Sequence, residues 1–248
     1  MSTIYILWLR QLKRYVRSKA RMVGSFAQPL LFLVALGFGF GPIYQKAGGG
    51  NYIEFLAPGI IAMAILFTAM FAGIELIWDK QFGFLKETLV APVSRMSIMI
   101  GRTLGGATIA LLQGLVVFLV SMLIGFRPDF HLFAISLVFM VLIAILFTAI
   151  GTAIASLVDD MQAFPLIMNF LIMPTFFLSG ALFPLQGLPE VIGIIAKVDP
   201  LSYGIDGIRG GLVPGSLQFG FWSDFAVLGA VTLAVLAIGA YLFSKVET

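Results

Sequence analysis

Residues 132–157 read LFAISLVFMVLIAILFTAIGTAIASL, a run without one charged side chain. As an α-helix rising ~1.5 Å per residue it outreaches a hydrocarbon core ~30 Å thick. Apolar side chains surround that helix on every side, as expected of a span and not of a surface helix with one wet face. Five further stretches of the same kind lie at 22–41, 55–77, 100–125, 163–183 and 221–243. The whole chain agrees. Of its 248 residues, 60% are hydrophobic and 11% charged, against about 45–50% and about 25% in ordinary soluble domains, and mean hydropathy is +1.06. The fold class is therefore all-α integral membrane, with six transmembrane helices in one domain spanning 1–248. Open sheet is excluded because unpaired backbone groups in lipid cost several kcal/mol each. With no cysteine and one histidine, His131, the chain offers neither a disulfide framework nor a thiolate or histidine metal cluster.

Residues 2–20 have a different pattern. Ile4, Leu7, Trp8, Leu12, Tyr15 and Val16 recur at three and four, and Arg10, Lys13, Arg14 and Arg17 fill the opposite face. That is an amphipathic helix of the kind that lies in the headgroup plane. The apolar run after it is too long, and lacks the small-residue exit, for a signal peptide. A net charge of +3 does not point to nucleic acid, since the basic residues crowd the flanks of the spans. Arg10, Lys13, Arg14, Arg17, Lys19, Arg21, Lys80, Lys86, Arg95, Arg102 and Lys245 fall on one side, and Lys46, Arg127, Lys197 and Arg209 on the other. The positive-inside rule then predicts a multi-pass protein of the plasma (inner) membrane with both termini cytoplasmic.

Two connections exceed a turn. The cytoplasmic one, 80–95, places Phe82, Leu85 and Leu89 at helical spacing beside Lys86 and Glu87, with Pro92 ending any helix. Apolar side chains on a wet loop predict an anchor that docks in a partner's groove. The outer one, 184–220, carries Pro184, Pro189, Pro200, Gly204, Gly210, Gly211 and Pro214, which predict short broken helices dipping back into the bilayer. Pro29, Pro165 and Pro174 predict kinks in their spans. Asp206 and Arg209 are spaced for an i,i+3 ion pair. Among polar span residues, Gln28, Thr68, Gln113, Asn169, Thr175 and Ser179 serve either a substrate route or helix–helix hydrogen bonds, with Asn169 and Thr175 the foremost pathway candidates. Gly105, Gly106, Gly114 and Gly151 permit close helix approach, within the chain or between two chains.

The missing chemistry narrows the function. Only Glu75, Glu54 and Arg102 bring charge near the spans, which disfavours a proton relay of the kind secondary carriers bury. No G-x-x-x-x-G-K-[ST] is present, so the chain binds no nucleotide by a P-loop. Ser179 and His131 make a poor pair for a membrane hydrolase, because the context of the serine is incomplete and the histidine falls at an interface.

The segment QFGFLKETLVAPVSR at 81–95, followed by Gly101–Arg102, resembles the loop between spans two and three of type-two ABC exporter permeases. The outer segment FLSGALFP at 177–184, then Leu188–Pro189, Pro200–Leu201–Ser202–Tyr203 and Arg209, resembles that family's signature. The likeness covers essentially the whole chain and is closest to multidrug, daunorubicin-resistance and nodulation-factor exporter permeases. It implies a non-catalytic membrane subunit with no cofactor of its own, served by a separate ABC ATPase that binds ATP and Mg, and paired with a second permease chain, a homodimer being favoured. It implies that 2–20 is an interfacial connecting helix, that Phe82, Leu85, Lys86, Glu87 and Leu89 dock the ATPase, and that Gly180, Pro184, Pro200, Tyr203 and Arg209 belong to the signature. Phe84 and Leu85 depart from the small or hydroxyl residues common after Gly83. The implied cargo is an amphipathic drug-like or lipid-like molecule; the alternatives are a lipo-oligosaccharide or polysaccharide exporter and an ATPase-independent secondary carrier. Membrane lipid is a further partner.

Overall fold

A computed structural model describes residues 3–48, 50–84, 93–185, 187 and 189–244. The described chain is helical throughout, with no strand among the described residues: α1 (Thr3–Arg17), α2 (Lys19–Lys46), α3 (Tyr52–Phe71), α4 (Ile74–Gln81), α5 (Arg95–Ile124), α6 (Phe133–Leu157), α7 (Ala163–Leu178), α8 (Glu190–Val198), α9 (Pro200–Leu212) and α10 (Phe221–Ser244). Caps set several of the starts. Asn51 accepts from the Ile53 amide at 3.1 Å, Ser94 from Ser97 at 3.2 Å and Asp199 from Leu201 at 2.9 Å, each satisfying an orphan donor of a first turn. Gly125, at φ +120°, closes α5 in backbone that favours glycine.

Five segments are long and apolar enough to cross a membrane: Met22–Lys46, Tyr52–Gln81, Arg95–Ile124, Phe133–Leu157 and Phe221–Phe243. The fifth expected span, 163–183, differs. Its helix α7 has 16 residues, about 24 Å, and ends at a turn where Gly180 sits at φ +76°. Pro165 lies in the first turn of α7, where no intrahelical partner is lost, so it starts the helix and does not kink it. Pro29 and Pro174 do lie inside helices.

The bundle is organised around α3, whose residues from Leu56 to Leu66 are all buried, as an all-round apolar helix requires. It packs on α2, α5, α6 and α9. Lipid tails are as apolar as leucine, so close packing and not water exclusion holds such helices together. Glycines supply the closeness. A Cβ on Gly151 of α6 would strike the Met70 carbonyl, one on Gly73 the Gly151 carbonyl, and one on Gly106 would lie 2.8 Å from Ala72. Gly105, Gly106, Gly114 and Gly151 are thus all used within the chain. At Gly73 the helix is drawn into a tightened turn, Leu76 N donating to Gly73 O at 2.9 Å, which separates α4 from α3.

Helix α1 packs on α5. The buried stripe is Leu7, Gln11 and Tyr15, mixed in polarity where the sequence pattern shows an apolar face. A Cβ on Gly101 would meet Leu7 at 3.0 Å, and one on Gly105 would strike Gln11. Trp8 Nε1 donates to Thr108 at 3.0 Å and Tyr15 to Gln113 Oε1 at 2.6 Å. The contacts advance in the same sense along both helices.

Candidate functional sites at the two ends of the bundle

Spacing four apart puts Glu75 and Asp79 on one face of α4, and that face meets α1 and α5. Arg102 Nη2 donates to Asp79 Oδ2 at 2.6 Å, Arg10 Nη2 to Oδ1 at 3.2 Å, and Arg14 reaches both Asp79 and Glu75 at 3.5 Å. Asp79 and Arg102 are 3% and 5% exposed. A pair so buried is costly to create and far more costly to break, because one partner is left charged without the other. On the other face of α4, Lys80 donates to the Ser156 carbonyl at 2.7 Å and to Asp159 Oδ1 at 2.9 Å, and Gln81 donates to the Asp159 carbonyl at 3.0 Å. Four elements, namely α1, α4, α5 and the turn after α6, are therefore tied together at the base of the 82–94 connection. Sequence reasoning found Arg102 and Glu75 but missed Asp79; the signal was its i+4 spacing from Glu75 beneath an arginine-rich helix.

Of the docking residues expected in that connection, Phe82 is exposed after the last turn of α4. Leu85, Lys86, Glu87 and Leu89 lie outside the described residues.

At the opposite end of the bundle the described part of the 184–220 segment forms two helices. Pro189 caps α8 and Pro200 opens α9, positions where proline's missing N–H costs nothing. The glycines do not break α9, contrary to the expectation for this segment. Gly204, Gly207 and Gly211 line one face of α9; a Cβ on Gly204 would lie 2.6 Å from Ile143, and one on Gly207 or Gly211 would strike Phe139 or Ser136. Ser136 Oγ donates to the Ile208 carbonyl at 3.0 Å. Because Gly211 meets Ser136 near the start of α6 and Gly204 meets Ile143 two turns further along it, α9 runs antiparallel to α6 and forms a helical hairpin with α8.

Arg209 fastens this hairpin. Its Nη2 donates to the Gly180 carbonyl at 3.0 Å and the Phe55 carbonyl at 3.3 Å, and its guanidinium lies 4.0 Å from the Phe55 ring centroid. Burial pulls its pKa down to about 10, which leaves it charged at neutral pH. The expected ion pair with Asp206 is not formed. Asp206 accepts instead from the Gln218 and Phe219 amides at 2.8–3.0 Å, the Gln218 N–H being shared between both oxygens: two charge-assisted donors that hold the loop before α10 and outweigh one i,i+3 contact. Tyr203 donates to the Lys197 carbonyl at 2.7 Å, closing the end of α8 onto α9, and Pro184 is half-buried after the Gly180 turn. Thus Gly180 and Arg209 are brought together, whereas Pro184, Pro200 and Tyr203 shape the segment around them.

Two further carboxylates went unforeseen. Asp224, in the first turn of α10, is fully buried beside Asp206, and Asp199 is 9% exposed, with burial pushing its carboxyl up to about 7. The pathway candidates fare unequally. Asn169 is exposed and Thr175 Oγ1 bonds its own helix at Leu171. Gln113 and Ser179 are buried and bonded, the latter to the Phe176 carbonyl. Gln28 and Thr68 share a cavity. His131 is exposed in the loop before α6. Among the described residues no group of three or more acidic or histidine side chains is placed to hold a metal ion.

Comparison with known proteins adds to this geometry. A family model described as ABC-2 type transporter matches residues 2–213. The chain is 30% identical over 251 residues to ycf38 of Porphyra purpurea, covering 93% of this chain and 83% of that protein. It is 29% identical over 214 residues to ycf38 of Cyanophora paradoxa, covering 83% and 72%. Nodulation protein J of Rhizobium leguminosarum bv. trifolii is 30% identical over 207 residues, covering 83% and 76%.

Proposed function

Since the chain belongs to the ABC-2 type transporter family, as a multi-pass, non-catalytic permease subunit, we propose that it is the membrane half of an exporter driven by ATP and Mg bound on a separate ABC ATPase. Permeases of this family work with such a subunit. In this reading both termini and the 80–95 segment are cytoplasmic in the plasma (inner) membrane, α1 is the interfacial connecting helix, and α7 with its Gly180 turn completes the sixth crossing. The cargo is an amphipathic drug-like or lipid-like molecule, and two copies of the chain pair around its path.

One observation carries the reading: the ion cluster at the foot of the 82–94 connection. A loop meant only to join two spans needs no buried Asp79–Arg102 pair and no second tie through Lys80 and Asp159. A loop that receives a push does, because motion delivered there must reach α1, α4, α5 and α6 together. Phe82, Leu85 and Leu89 are the apolar anchors of this docking surface, and Lys86 and Glu87 set its register. Substitution of Leu85 and Leu89 by aspartate places two charges in that groove. Purified in mild detergent, the double variant is expected to lose its ATPase while keeping the melting temperature of the parent chain. Retention of the ATPase at parental stoichiometry would refute the docking assignment.

A further inference from the structure

Beneath α1 lies a cavity of about 430 Å³ enclosed by α1, α2, α3, α4 and α5. Its volume falls within the ~300–1,000 Å³ range of sites for drug-sized molecules. Pro29, Met63 and Phe67 form an apolar wall, and Gln28 and Thr68 interrupt it.

The polar groups tell what would fill it. Gln28 is exposed nine residues after the start of α2, about 14 Å along the helix. At that depth an amide facing hydrocarbon is costly unless something bonds to it. Gln11 Oε1 is buried against Gly105 of α5 and is turned away from the cavity, which leaves Gln28 and Thr68 as the polar groups that face it. Charge offers no further hold. Among the described residues Glu75 is the one charged residue lining the cavity, and Arg14 stands 3.5 Å from it. The side is open where Gly24, Gln28 and Trp78 are exposed, near the ends of α2 and α4 that carry Lys19 and Lys80. A tryptophan there is at the level of the headgroups.

We propose that this cavity binds a single-chain amphiphile with an uncharged hydroxyl- or amide-bearing head, admitted sideways from the leaflet at the Lys/Arg-rich end. The head bonds the Gln28 amide beside the Thr68 hydroxyl, and the chain lies along Pro29, Met63 and Phe67. Only the naming of that molecule as cargo rests on the exporter reading; the site itself does not.

The test uses the full chain in phosphatidylcholine nanodiscs with a monoacylglycerol carrying a photoreactive diazirine on its chain. After irradiation, peptides covering 22–29 and 63–72 should carry most of the label. Thr68→Phe, which fills the cavity, should abolish most of that labelling, and Gln28→Leu, which keeps volume and removes the amide, should cut it about fivefold, the worth of one hydrogen bond. Labelling of the lipid-facing surface of α10 at Leu233 and Ile238 should not change. Label spread evenly over α2 and α10, or unchanged in the Gln28→Leu variant, overturns the site. Repetition with the partner ATPase distinguishes the source: label depleted under ATP turnover identifies cargo, and label retained identifies a resident lipid, the site standing in both cases. Failure of the exporter reading would show separately, as absence of a co-purifying ATPase.

Discussion

Removing Asp79 and removing Arg102 should have unequal costs. In the structure Arg102 has one carboxylate, Asp79 at 2.6 Å, whereas Asp79 has three cations, with Arg10 at 3.2 Å and Arg14 at 3.5 Å besides Arg102. Asp79→Leu leaves the buried Arg102 guanidinium without its hydrogen-bonded carboxylate, Glu75 being the nearby negative charge that remains, a defect of up to about 3–5 kcal/mol. Arg102→Met leaves Asp79 still facing Arg10 and Arg14, whose side chains are about one-third exposed and remain free to close in. Its cost should therefore be about 1.5–3 kcal/mol, that of one charge-assisted bond. The double variant, which buries no orphan charge at this pair, should be no less stable than Asp79→Leu alone and is expected to recover about 2 kcal/mol of its loss. Reversible denaturation in mixed micelles, followed by helical circular dichroism, gives the three differences. Equal costs for the single variants, or additivity in the double, would show that the two side chains do not act as a pair.

Gly151→Ala drives a Cβ into the Met70 carbonyl and should cost about 1–3 kcal/mol, while Gly229→Ala on α10 meets nothing within 4 Å and should be neutral or stabilising by up to ~1 kcal/mol; the same unfolding assay separates them. Tyr15→Phe removes the bond to Gln113 and should cost about 0.6–1.7 kcal/mol, with α1 still helical by hydrogen exchange. Asp199, with its carboxyl raised from 3.8 to about 7, folds more readily protonated, so its contribution is favourable at low pH and is lost progressively as pH rises from about 4 to 7. Asp199→Asn keeps an N-cap and removes the ionisation, so its melting temperature should overtake the parent's between pH 5 and 8; parallel pH profiles would rule the buried acid out.

Five of the six expected spans were legible because runs of about 20 apolar residues have few alternatives in water or lipid, whereas the 163–183 run forms a shorter helix that ends at the Gly180 turn. Legibility failed where one residue type has two uses. Gly204, Gly210 and Gly211 read as breakers, but in lipid a small residue is also the means of helix contact, and α9 uses Gly204 and Gly211 in that way against α6. Asp206 and Arg209 read as a pair from spacing alone; each found stronger bonds to backbone far away in sequence, at Gln218, Phe219, Gly180 and Phe55, which no local pattern records. The charges of Asp79 and Asp224 were overlooked because both lie at helix ends, where hydropathy averages a carboxylate into its neighbours. Gly180 and Arg209 were found through family likeness, whereas the cavity that joins Gln28 to Thr68 needs three-dimensional placement of α2 beside α3.

The Asp79–Arg102 contact spans 23 positions of chain and thereby makes the intervening segment a closed ring. Its ends cannot drift apart to relax a load, and the entropy of closing it is met by the fold before any partner arrives. Under such a constraint a displacement of the last turn of α4 is shared with the start of α5 through Arg102, and with α1 through Arg10 and Arg14.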